Sequence, residues 1–253
     1  MQRKTIKQLM ISSLTLMMLS SCGTGQNNAN SIENKSHDGT TLRLAEEEET
    51  SPLSAEEQLG QLLFFDTNLS EPAGMACASC HKIKSGFVDP DFELPVSQGI
   101  HLERFGNRNT PTAAYASFVP AFHYDEKEKL YVGGMFLDGN AKDLKAQAKG
   151  PFLNPVEMAN PDAASVVKKV QRASYASQFK ALYGEDAFAD SDKAYDNIAK
   201  AIAAFESTEL FHPFDSKYDR FLEGEENLST QEVRGLTLFN GKGTSHTSLK
   251  ITQ

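Results

Sequence analysis

The chain has 253 residues, 40% hydrophobic and 23% charged, which suits one or two folded domains and excludes a chain that is disordered or fibrous throughout. Lys+Arg 25 against Asp+Glu 34 gives a formal charge of −9 with no long basic block, so nucleic acid is set aside as a partner. Its three cysteines, Cys22, Cys77 and Cys80, are too few for a disulfide scaffold or a four-thiolate zinc site.

Residues 1–21 carry Arg3, Lys4 and Lys7, then an apolar run from Leu9 to Leu19, then Ser20-Ser21-Cys22-Gly23. The run is too short for a stable bilayer-spanning helix, and small residues lead up to the cysteine, so it reads as an export leader that is removed. The pattern resembles the lipobox of bacterial lipoproteins, which implies a lipid anchor on Cys22 and a place in the periplasm or cell envelope. Residues 22–53 then turn to Gly, Asn, Ser and Thr, followed by Glu46-Glu47-Glu48-Glu49. With almost nothing to bury, they are expected to form a flexible tether.

Ser54-x-x-Glu57 is a capping box, and Leu59, Leu62 and Leu63 follow at helical spacing, which predicts a helix from Ser54 to about Asp66. Further helical patterns cover 142–149, 162–183 and 192–210, with Gly184 as a left-handed cap for the second. A second capping box, Ser229-x-x-Glu232, opens a last helix towards Phe239. No alternating strand pattern of convincing length is present, and Pro and Gly punctuate residues 86–139. The expected fold is mostly α with long loops of the kind that wrap a ligand.

Cys77-Ala78-Ser79-Cys80-His81 is the C-x-x-C-H pattern of c-type haem attachment. The spacing lets one turn of backbone present two thiols to the vinyl groups of one porphyrin edge, and the adjacent histidine can coordinate iron as the proximal ligand. Two other readings compete with one covalent haem c. A thioredoxin-type pair should follow a strand in an α/β unit, and half a zinc site needs further Cys or His near residue 80.

Around this motif lie Leu59-Gly60-Gln61-Leu62-Leu63-Phe64-Phe65-Asp66, Met75-Ala76, Gly86-Phe87, Arg108-Asn109-Thr110-Pro111-Thr112, Phe136-Leu137-Asp138-Gly139 and Asn154-Pro155-Val156-Glu157-Met158. Ala201-Ile202-Ala203-Ala204-Phe205-Glu206 and Pro213-Phe214-Asp215-x-x-Tyr218-Asp219-Arg220-Phe221 follow. In order and spacing, residues 54 to 243 resemble the bacterial di-haem cytochrome c peroxidase family. The resemblance implies a cytochrome c-like haem domain over 54–210 and an incomplete second helical cytochrome c-like domain over 211–253. It also implies reduction of hydrogen peroxide with electrons from a small cytochrome c or cupredoxin.

The resemblance assigns roles residue by residue. His81 is similar to the proximal iron ligand, Glu157 to the distal acid–base carboxylate, and His101 to a removable distal ligand of the same haem. Asn109 is similar to a calcium ligand whose partners come from the second domain. His123 and His212 read as ordinary loop or helix-end histidines, and Phe64, Phe65, Phe87 and Phe136 as packing for the core or haem edge. The sequence also departs from the family. Gly235-Leu236-Thr237-Leu238-Phe239-Asn240-Gly241-Lys242-Gly243 resembles the segment before a second C-x-x-C-H, yet Thr244-Ser245-His246 follows it. Leu137 stands where the family often has tryptophan, and Asn140 where it has arginine. A mono-haem electron carrier, or an oxidase that matures another protein, is therefore the alternative to a peroxidase.

Overall fold

In the computed structural model the described residues are 52–241. The leader, Cys22, nearly all of the tether and His246 lie outside the described residues. Helix α1 (Ala55–Phe65) starts as the capping box predicts: the Glu57 N–H donates to Ser54 Oγ at 3.3 Å and the Ser54 N–H to Glu57 Oε2 at 2.6 Å. These bonds satisfy two amides that a helix start leaves unpaired. Its apolar stripe, Leu59, Leu63 and Phe64, is fully buried.

That stripe packs against α6 (Ser191–Glu206), whose Ala194, Ile198, Ala201, Ile202 and Phe205 are buried. Contact is close because residue 60 is glycine: a Cβ there would lie 1.9 Å from the Ala201 carbonyl oxygen and 2.8 Å from Phe205 Cβ. Gly60→Ala is therefore expected to force the two helices apart and cost at least about 1–3 kcal/mol, read as a lower denaturant midpoint. Gly235→Ala is the control, since a Cβ there meets nothing within 4 Å. It should leave the midpoint unchanged or raise it slightly.

Between these helices come α2 (Cys77–Cys80), a hairpin of β1 (His123–Asp125) and β2 (Leu130–Val132), α3 (Leu144–Leu153), α4 (Ala163–Arg172) and α5 (Ala176–Tyr183). The hairpin pairs only three residues per strand, too few to show alternation, and Asp125 Oδ1 closes its turn by accepting from the amides of Lys127 and Glu128. The expected helix over 162–183 is two helices. Ala173 turns extended, which lets Tyr175 sink into the core and donate its hydroxyl to Asp66 Oδ2 at 2.6 Å. Gly184 does have positive φ, +101°, but its ψ of 159° is extended, so it is not the left-handed cap expected. Helix α3 runs past its expected end at residue 149 and takes in Pro151.

The expected boundary between 210 and 211 falls inside the aromatic core. Phe211 is fully buried, stacked on Phe87 with centroids 4.3 Å apart and edge-on to Phe205 at 5.2 Å and Phe64 at 5.7 Å. Beyond it, α7 (Lys217–Leu222), which the sequence reading missed, and α8 (Thr230–Asn240) contribute no buried residue. Among the described residues no helix is long and apolar enough to cross a membrane.

Candidate haem site

Helix α2 is a single turn. Ser79 Oγ accepts the Ala76 N–H at 3.0 Å and the His81 N–H donates to the Cys77 carbonyl at 3.0 Å, so Cys77, Cys80 and His81 all reach one cavity of about 430 Å³. That volume is within the range of small-molecule and cofactor sites. The long stretch 86–139 wraps it, contributing the segments 106–113 and 135–138 to its wall.

His81 is oriented by the turn that follows it. Gly86 and Phe87 both have positive φ, +67° and +60°, which folds the chain back so that the Phe87 carbonyl lies 3.0 Å from His81 Nδ1. A carbonyl can only accept, so Nδ1 carries the proton and Nε2 keeps its lone pair. Burial pulls the imidazole pKa down, against the opposing effect of the bond to Phe87. The ring is thus neutral with Nε2 as its ligand atom, the state an iron-binding histidine needs. Phe87 was expected only to pack; its side chain does so, and its carbonyl also aims the histidine.

Both thiols are free. Burial, reinforced by the charge of Glu206, pushes the Cys77 thiol far up, and burial with the charge of Asp89 pushes Cys80 up to about 11 despite a bond from Ser97. A redox C-x-x-C works by a lowered thiol pKa, so these cysteines are unsuited to disulfide exchange. Among the described residues no group of three or more His, Cys, Asp or Glu is arranged to hold a bare metal ion. Two half-buried thiols and a neutral histidine on one cavity wall do fit a covalently attached haem.

Glu157 lines the same cavity and is fixed by its own neighbours. Asn154 caps α3, and its Nδ2 donates to Glu157 Oε1 at 2.9 Å while its Oδ1 accepts the Val156 N–H at 3.2 Å. The Glu157 carbonyl accepts from the Ile100 amide at 2.9 Å, and the Pro155 carbonyl from Arg104 Nη1 at 3.1 Å. Burial raises the Glu157 pKa above the usual carboxylate range, and the bond from Asn154 partly offsets that. Asn154 stands three residues before Glu157, so the contact is local in the sequence.

The other expected site residues lie differently. His101 is half-buried in the loop that bonds to the Glu157 segment, and it is not on the cavity wall, although Gln98 and Ser97 of that loop are. Asn109 does line the cavity, with its Nδ2 given to the Pro95 carbonyl at 3.3 Å. Phe136 and Leu137 stand at the rim with φ of +67° and +59°. Their turn is held by Arg108, which donates to the Phe136 carbonyl at 3.0 Å and pairs with Asp138 at 2.7 Å. Phe65 is partly exposed beside the core. His123 and His212 hydrogen-bond only backbone carbonyls, of Ala121 and Ser207. Glu206, which carried no separate expectation, is buried on the cavity wall.

The model of the di-haem cytochrome c peroxidase family matches residues 54–227. The methylamine utilization protein MauG of Paracoccus denitrificans is 47% identical over 185 residues, which cover 72% of this chain and 48% of that protein. The cytochrome c551 peroxidase of Nitrosomonas europaea is 37% identical over 187 residues, 74% of this chain and 49% of that one. The crystal structure of the diheme peroxidase BthA from Burkholderia thailandensis superposes with a TM-score of 0.70 at 34% identity, covering 75% of this chain and 47% of that one. The chain spans about half the length of the curated relatives it matches. With that match and that fold, the chain belongs to the di-haem cytochrome c peroxidase family.

Proposed function

We propose that this chain binds one haem c through Cys77, Cys80 and His81 and reduces hydrogen peroxide with electrons from a small redox protein. The observation that carries the reading is Glu157, a buried carboxylate held by Asn154 on the wall of the cavity that receives His81 and both thiols. When bound, the haem supplies the iron that takes peroxide and the electrons that break its O–O bond. Glu157 accepts the proton of the inner peroxide oxygen and returns it to the outer oxygen as that departs as water. Two electrons and two further protons complete the reduction to two waters. His81, fixed through its Nδ1 by the Phe87 carbonyl, would hold the iron of that haem through Nε2. The test mixes haem-loaded protein with peroxide and a reduced cytochrome c or cupredoxin. Peroxide-dependent oxidation of the donor supports the reading, and its absence removes it.

Glu157 must be ionised to accept a proton, so activity rises with pH as its carboxyl deprotonates. Asn154 lowers that pKa. Asn154→Ala is thus expected to move the acid limb of the rate profile to higher pH without loss of haem, measured as turnover against pH.

A second reading has its own observation. Met75, Met135 and Met158 line the cavity, and a thioether can close the sixth position of a haem and make an electron carrier. That reading predicts a low-spin spectrum in both oxidation states, whereas a peroxidase site shows a high-spin form that binds cyanide. From the pattern of residues 1–22 we also propose export and a lipid anchor on Cys22, and with them a location in the periplasm or cell envelope. Cys22→Ser is expected to move it from the membrane fraction to the soluble fraction.

A further inference from the structure

Glu206 is a carboxyl that the proposed mechanism leaves unused. It is the last residue of α6, only 6% exposed, and it lines the cavity with Cys77, Cys80 and His81. Its Oε2 is buried without a hydrogen-bond partner. Buried polar atoms nearly always have one, so an unpartnered oxygen on a cavity wall points to the cavity's occupant.

No charged side chain holds Glu206 in either protonation state. Helices α1, α3 and α4 pack on α6, and their charged groups are Glu56, Glu57, Lys145, Lys149, Lys168, Lys169 and Arg172. Glu56 pairs with Lys200, Lys145 and Lys149 with Asp196, and Lys169 with Glu71; none of the seven shifts Glu206. The short helix at Ala116–Phe118, which also touches α6, carries no charge. Glu206 and Glu157 both act on Cys77, as does Cys80, but the two sulfurs cease to titrate once they are thioethers, which leaves Glu157 as the titratable neighbour that matters. Burial alone raises the Glu206 carboxyl, up to about 8.

We propose that Glu206 is the site's redox-linked proton acceptor: it takes a proton from solvent when the haem gains an electron and gives it back when that electron leaves. The proposal rests on the haem reading above. One electron from a one-electron donor reduces ferric iron to ferrous, and one solvent proton turns the Glu206 carboxylate into the acid; one O–H bond forms and no other bond changes. The reason is charge balance in a poorly screened cavity. The ferrous porphyrin core is neutral and leaves Glu206 near its own value, whereas the extra positive charge of the ferric core favours the carboxylate. Between those two states reduction carries a proton, so the midpoint potential falls as pH rises, in a range ending near pH 8.

The test is an equilibrium redox titration of the holoprotein against pH for wild type, Glu206→Gln and Glu157→Gln. Full coupling changes the reduction equilibrium tenfold per pH unit, about 59 mV for one electron. Wild type and Glu157→Gln are expected to show this slope, and Glu206→Gln a flat line. A flat wild type, or a slope that survives in Glu206→Gln, overturns the proposal. Should Glu206→Gln fail to take up haem, infrared difference spectra of the wild type decide. A carboxylic-acid C=O band that appears on reduction below pH 8, and persists in Glu157→Gln, supports Glu206, and its absence overturns it. Colourless wild-type protein would instead remove the haem reading itself.

Discussion

Replacing Glu157 by glutamine is expected to lower peroxide turnover by about 10²–10⁴-fold, the usual worth of a positioned acid–base group, with haem content unchanged. Glutamine keeps the shape of the side chain and can still meet Asn154, which lies 2.9 Å away in the wild type, so the peptide turn at 154–159 should persist. What it lacks is the capacity to accept a proton. Four backbone bonds secure that turn independently of the carboxylate: Met158 to Pro151 at 3.2 Å, Ala159 to Asn154 at 3.0 Å, Ile100 to Glu157 at 2.9 Å and Glu71 to Met158 at 2.8 Å. A fall in kcat would therefore report chemistry and not unfolding. Turnover within about threefold of wild type would remove Glu157 from the acid–base role.

Replacing Cys77 and Cys80 together by alanine is expected to abolish covalent haem, seen as loss of the haem stain on a denaturing gel. Each single replacement should leave one thioether and a shifted reduced spectrum. The two sulfurs sit on one helical turn, and neither is in a disulfide. Phe87→Ala separates attachment from core packing: it keeps both thiols and the carbonyl that faces His81 Nδ1, but removes a buried ring stacked on Phe211. Its cost falls on stability, about 3–5 kcal/mol, and not on attachment chemistry. If the double cysteine variant stays stained, the attachment assignment is wrong.

Local signals in the sequence located much of this. The Ser54–Glu57 capping box, the stripe of Leu59 and Leu63, and the C-x-x-C-H turn are short-range patterns, and each folds as its spacing implies. The failures share a cause in long-range packing. The periodicity over 162–183 is continuous, and only the partner Asp66, more than a hundred residues away in the chain, explains why the helix breaks so that Tyr175 can reach it. Phe211 packs against Phe87 and Phe205, a slot that no local pattern announces. At the site, Glu206 reads as one more polar residue at a helix end until α6 is docked against the cavity. The carbonyl of Phe87 carries no side-chain signal at all, and its role appears only once Gly86 and Phe87 adopt positive φ.

The backbone also explains why the cavity needs glycine in the loop before Glu157. A Cβ on Gly99 would lie 2.3 Å from the Val156 carbonyl oxygen, so the loop that carries His101 can approach the 154–159 turn only without a side chain there. The same loop gives its Ile100 amide to Glu157. Position of Glu157 and position of the His101 loop are thus one structural problem.

The most direct measurement is haem quantitation by alkaline pyridine haemochrome on the full chain, purified from a host with working cytochrome c maturation. One haem per chain, retained after acid–acetone extraction and with the band position of two thioethers, is the predicted result. Colourless protein, or haem that leaves on extraction, contradicts it.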